Sequence, residues 1–146
     1  MYFWIVVFAL SCFWLLLLGF VFPRMMGVKD TEAGRERVDA IERSGDHLYS
    51  ARVGAVIGGV SLNGLIRAEV YPGGLLLRPF LMPNVGILVA EIRNVKIVTE
   101  LYRTGSIEIM HTSQDIVSPL YVYAGFWRRT PFLTALGQIT GQPIPD

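Results

Sequence analysis

From Tyr2 to Phe22 the chain reads YFWIVVFALSCFWLLLLGFVF, a run of 21 residues without a charge. At about 1.5 Å rise per residue, such a run makes a helix roughly 30 Å long, the thickness of a bilayer's hydrocarbon core. Its polar members, Ser11 and Cys12, are small enough to return hydrogen bonds to the helix backbone. A cleaved signal peptide would instead need a basic leader, a shorter apolar stretch and a small-x-small cleavage site. Here the run is apolar from residue 2 and stops at Pro23-Arg24. Ala9-Leu-Ser-Cys12 has the residue types of a lipoprotein cleavage site, but the apolar run continues past the cysteine to Phe22. The expectation is an uncleaved transmembrane anchor over residues 1–23.

Orientation follows from the flanks. Arg24, Lys29, Arg35 and Arg37 come soon after the span, and the positive-inside bias then places everything beyond it in the cytoplasm. The expected location is the inner (plasma) membrane, crossed once. Cys12 is the only cysteine, so no intrachain disulfide can form and nothing argues for an oxidising compartment. The anchor also accounts for most of the excess in a hydrophobic content of 52%, while a net charge of +1 supplies no field that would gather nucleic acid.

Residues 24–50 read as a polar connector. Thr31 is placed to cap a short helix from Glu32 to about Arg43, with acidic residues in its first turn. Val38 and Ile41 give that helix only a thin apolar edge, so it reads as a solvated stalk and not as a membrane-surface helix. Residues 51–146 then change texture to short β-rich segments divided by turns. Ile66-Arg-Ala-Glu-Val70 alternates apolar and charged, the period of a half-buried strand. Pro72-Gly73-Gly74 turns the chain into Leu75–Phe80, and Gly86–Ala90 comes next. Val95–Leu101 and Ser106–Met110 read as a hairpin around Arg103-Thr104-Gly105. That loop pairs Leu101 with Ile107 and Thr99 with Ile109, and sets Glu100 against Glu108, a small like-charge penalty. Pro119–Tyr123 reads as a last strand. Thr130-Pro131 reads as an N-cap with proline at the first helical position, opening a helix that closes at Gly137. Phe132, Leu133 and Leu136 form its apolar side.

Four of these stretches, AEVYPGGLLLRPF (68–80), AEIRNVKI (90–97), GSIEIMH (105–111) and TPFLTALGQ (130–138), together resemble bacterial domains of the PH-like and GRAM-like superfamily. The resemblance covers about residues 60–138. It implies a mainly β fold, a strongly bent β-barrel or sandwich of about seven strands, capped at one end by the C-terminal helix. It also implies an interaction or scaffolding module presented at the membrane, not an enzyme.

The stretch GAVIGGVS (54–61) departs from a phosphate-binding P-loop mainly at Val60, where the lysine should stand. A P-loop also opens a helix, whereas Val60-Ser-Leu-Asn-Gly64 leads to further turn and strand, so Gly54, Gly58, Gly59 and Gly64 read as strand kinks and turns. No nucleotide is expected. His111 and Asp115 stand four apart and His47 lies beside Asp46, but a metal or hydrolytic site needs three convergent ligands or a nucleophile with its base and orienting partner. His111 reads as a strand end with Asp115 in the turn beyond it, and no cofactor is implied.

Two function classes remain open, with a membrane-tethered enzyme as a distant third. The first is a single-pass membrane protein whose PH-like domain binds another protein or assembles a membrane complex. The second is a domain that binds or senses lipid at the membrane surface. Lipid-binding relatives would carry a cluster of Lys and Arg on the first hairpin. Here the turn Pro72-Gly73-Gly74 has only Arg67 before it and Arg78 after it. Trp127, Arg128 and Arg129, beside Phe126, make the most membrane-like surface cue. The candidate contact residues are therefore Arg67, Arg78, Trp127, Arg128 and Arg129.

Overall fold

A computed structural model describes residues 2–80, 82–98 and 105–143. Helix α1 (Tyr2–Leu16) passes through one π-turn (Leu17–Val21) into α2 (Phe22–Met25). The resulting helix, Tyr2–Met25, is long and apolar enough to cross a membrane, and none of its most apolar stretch is buried against the rest of the chain. Ser11 closes its own hydrogen bond within the helix, its hydroxyl donating to the Val7 carbonyl at 2.8 Å.

Seven strands come after it: β1 (Tyr49–Ile57), β2 (Val60–Tyr71), β3 (Gly74–Pro79), β4 (Val85–Leu88), β5 (Ile92–Val98), β6 (Ser106–His111) and β7 (Leu120–Tyr123). They form one antiparallel sheet in the order β4-β3-β2-β1-β7-β6-β5. The meander curls until β7 pairs with β1, leaving β4 and β5 as the two ends of a half-barrel. Alternation decides what fills it. Along β2 Ile66, Ala68 and Val70 turn inward, and β3 answers with Leu75 and Leu77. Ile107, Ile109, Leu120 and Val122 close the far side.

The glycines of residues 54–61 serve this sheet. Gly58 and Gly59 take φ of 56° and 83° and form the two-residue turn between Ile57 and its partner Val60. Two left-handed residues are what a hairpin turn matched to strand twist requires. Gly64, at φ 68°, lies within a bulge where the β1–β2 register shifts. The glycine pair leads into strand β2 and not into a helix.

Three expectations need correction. The connector is not a solvated stalk. Helix α3 (Glu32–Glu42) is capped as expected, Gly34 N–H donating to Thr31 Oγ1 at 2.9 Å. But Val38 and Ile41 are buried against Leu76 on the sheet's outer face, and Met26 and Val28 enter the main core. A thin apolar edge suffices because Gly86 of β4 lets the helix come close; a Cβ there would stand 2.9 Å from Ile41 Cδ1.

Second, the β5–β6 register differs by four residues. Ile107 pairs with Ile97, Ile109 with Val95, and Glu108 with Lys96. A shift of four keeps every side chain on its face and replaces the like-charge pair with an ion pair, Lys96 Nζ to Glu108 Oε1 at 3.0 Å. Thr99–Thr104 lie outside the described residues, so the tip of that hairpin does too.

Third, helix α4 spans Phe126–Thr140, starting at Gly125 and not at Thr130. The N–H groups of Arg128 and Arg129 donate to the Gly125 carbonyl at 2.7 and 3.1 Å, which opens the helix ahead of Pro131. Pro131 lies inside it, lacking the N–H that would bond to Trp127. At the far end the helix runs through Gly137 to the left-handed Gly141. The apolar side is as expected: Phe132, Leu133 and Leu136 are buried in the half-barrel, and the Phe132 ring lies 5.2 Å from that of Tyr49.

Candidate binding face

The two hairpins that flank β2 set its cross-strand neighbours. The turn at Pro72-Gly73 pairs Arg67 with Arg78, and the bulge at Gly64 pairs Arg52 with Arg67. Three arginines thus stand in one row across β1, β2 and β3. They alternate with the inward residues Val53, Ile66 and Leu77, so the row lies on the outer face of the sheet. Like charges directly opposite one another repel, and the chain offsets this with acids placed between them.

Glu69, two residues along β2, is 6% exposed and takes both neighbours. Arg67 Nε stands 3.1 Å from its Oε1 and Arg78 Nε 2.9 Å from its Oε2. Arg78 also pairs with Glu42 at the end of α3, and Arg67 Nε donates to Ser50 Oγ at 2.9 Å. Burial alone would lower the Arg78 pKa, but its hydrogen bonds to Glu69 and Glu42 outweigh that and raise it. Tyr71, whose hydroxyl donates to Glu69 Oε2 at 3.2 Å, has its pKa raised by burial and then by the Glu69 charge. Arg52 is different: its guanidinium has no hydrogen bond or ion pair among the described residues, and it is exposed. Of the three charges, two are largely compensated and one is in excess.

Beside the arginine row the same face carries Leu65 and Phe80, held together by the Phe80 N–H donating to the Leu65 carbonyl at 2.8 Å. They are 46% and 61% exposed. Helix α3 covers the outer face over Leu76, Tyr71 and Leu88 and stops there. The uncovered part is an open depression of about 490 Å³ lined by Arg52, Gly64, Leu65, Ile66, Arg67, Arg78, Pro79 and Phe80.

The structure therefore brings Arg67 and Arg78 together and adds Arg52, Leu65 and Phe80, which sequence reading missed. The pairing of Arg67 with Arg78 could have been read from the turn at Pro72-Gly73. Placing Arg52 in the row needed the bulge at Gly64, which no local pattern announces. Arg128 reaches the same strand by another route, its Nη1 donating to the Arg52 carbonyl at 2.9 Å just where β7 has ended. The Tyr49 hydroxyl donates in turn to the Arg128 carbonyl at 3.3 Å. Arg128 thus helps tie α4 to β1. Trp127 is 87% exposed, so it is not packed beneath the helix. Arg129 lies against Gly105, where a Cβ would meet its guanidinium.

The Gly58 turn marks the end of the sheet next to the apolar N-terminal helix, since a Cβ on Gly58 would stand 3.0 Å from the Met26 backbone. Arg52 is six strand residues from that turn, about 20 Å at the usual rise.

The other charged cluster is a fastener. Arg37 of α3 pairs with Asp115 and, at 3.3 Å, with Glu91, while Thr31 Oγ1 donates to Asp115 Oδ1 at 3.1 Å. Asp115 holds α3 to the β6–β7 loop and Glu91 holds it to the turn before β5, and among the described residues no group of three or more His, Cys, Asp or Glu could hold a metal ion.

Comparison with known protein families and with curated proteins returns no match. Among solved structures, the chain is similar to the C-terminal domain of an unknown protein from Leishmania infantum. The TM-score is 0.55 at 15% identity, over 74% of this chain and 94% of that one, a likeness of fold alone.

Proposed function

We propose that this chain is a single-pass membrane protein whose PH-like domain, on the cytoplasmic side, binds another protein through the outer face of β1–β3. The meander order, the opening between β4 and β5 and the helix α4 against the half-barrel support the PH-like reading. The apolar helix Tyr2–Met25 supports the anchor. The observation that carries the function is the uncovered strip of Arg52, Arg67 and Arg78 beside exposed Leu65 and Phe80. Exposed apolar side chains rimmed by charge mark interaction surfaces.

A lipid headgroup is the second reading, and charge disfavours it. Arg67 and Arg78 already share Glu69, and Arg78 also has Glu42, so only Arg52 offers an uncompensated charge where a polyanionic headgroup would want several. The hairpin beyond Leu65 also extends five residues toward the anchor, about 16 Å, which holds the strip back from a bilayer under the hairpin tip. Photo-crosslinking from Phe80→p-benzoylphenylalanine in the full chain, in native membranes, tests the reading. A protein adduct that disappears with Arg52→Glu is expected. Adducts to phospholipid alone, or none, would overturn it.

A further inference from the structure

On the reading just given, which this inference deepens, we propose that the occupant of the strip is an extended acidic segment of the partner, with an apolar residue two positions from an Asp or Glu. The spacing of the strip carries this. Leu65 and Arg67 are two apart on β2, and Phe80 and Arg78 are two apart on β3, so one apolar row lies beside one basic row on the same face. Two residues of strand span about 6.5 to 7 Å. An extended chain lying along β2 repeats with the same period, so one of its faces sets an apolar side chain over Leu65 and Phe80 as it sets a carboxylate over the arginines. A helix sets its one-face neighbours, three and four apart, only about 4.5 to 6 Å apart along its axis, short of the spacing that a strand reproduces.

Charge fixes the sign and the register. Among the described residues Arg52 is the member of the row whose guanidinium has no partner, so the segment's carboxylate meets Arg52 at the β1 side. Glu69, behind Arg67 and Arg78, rejects an acid placed one row further on. An acid slipped by two residues meets Glu69, and one slipped by a single residue faces away from the sheet. The site therefore discriminates by alternation and not by net negative charge.

The test uses the full chain in phosphatidylcholine nanodiscs and two fluorescent peptides of equal composition. One repeats Leu-Thr-Glu-Thr, placing Leu and Glu on one face; the other repeats Thr-Leu-Glu-Thr, placing them on opposite faces. Saturable binding of the first, at least tenfold tighter than the second, is expected. Phe80→Ala should weaken it about tenfold, as for a buried apolar anchor, and Arg52→Ala about threefold, as for an exposed ion pair. Both side chains are exposed, so neither change should unfold the domain, and Trp127→Ala should leave binding unchanged. Equal binding of the two peptides, or binding indifferent to Phe80→Ala, overturns the inference even if a protein adduct forms at Phe80. If added phosphatidylserine abolishes peptide binding and the Phe80 adduct carries phospholipid, the strip is a lipid site, and the parent reading falls as well.

Discussion

His111 stands at the end of β6, 6% exposed, with neither ring nitrogen in good hydrogen-bonding geometry with a partner among the described residues. Burial lowers its pKa below the ordinary value, and the Val117 carbonyl and the Glu91 charge oppose that shift only in part. The unfolded chain therefore takes up the proton before the folded one. The His111 contribution to stability is constant above the unfolded value, near 6.5, and falls as pH drops through it, by at most about 1.4 kcal/mol per pH unit for one proton. The parent should lose melting temperature between pH 7 and pH 5.5, and His111→Met should lose less over the same interval. Equal losses in the two proteins would mean that this imidazole is not the group responsible. The consequence is local: the loop beyond His111 carries Asp115, which fastens α3, and Val117, which fills the space beside Gly27.

At the scale of elements, the β5–β6 pair shows how a register is decided. Period-two alternation fixes which face each residue takes but not which partner it meets, because shifts by an even number of residues preserve the faces. Charge breaks the tie in favour of Lys96 opposite Glu108. A charge-swap cycle checks this. Lys96→Glu should cost about 0.5 to 1 kcal/mol in denaturant unfolding, and adding Glu108→Lys should recover most of it. Additive losses would indicate that the two residues do not face each other. Helix α3 teaches the related lesson for helices: two apolar residues, Val38 and Ile41, are enough to dock it when Thr31, Arg37 and Ser44 tie it down at several points.

For the whole molecule, the apolar N-terminal helix and the half-barrel meet at the β1–β2 turn, so on the proposal that this helix is an anchor, its orientation decides which compartment the arginine strip faces. Arg24, Lys29, Arg35 and Arg37 come after the span. The prediction is a reporter active in the cytoplasm when fused after Asp146, and silent when assayed outside. The reverse pattern would move the strip, and any partner of it, to the other side. Arg37 complicates the count in an instructive way, because Asp115 and Glu91 hold it within the folded domain.

The features legible in the residues alone are those that depend on near neighbours along the chain. The apolar run, the Thr31 cap, the turn at Pro72-Gly73 and the buried side of α4 each rest on residues a few positions apart, where backbone geometry leaves few choices. The pairing of Arg67 with Arg78 belongs with them. The remainder is set by the folded arrangement. Docking of α3 depends on Gly86 and Leu76, tens of residues downstream. The early start of α4 goes with contacts to Tyr49 and Arg52 across the curled sheet. The place of Arg52 in the basic row depends on a bulge that two strands must share. Such contacts join residues far apart in the chain, and short-range patterns carry no record of which distant surface will be there to meet them.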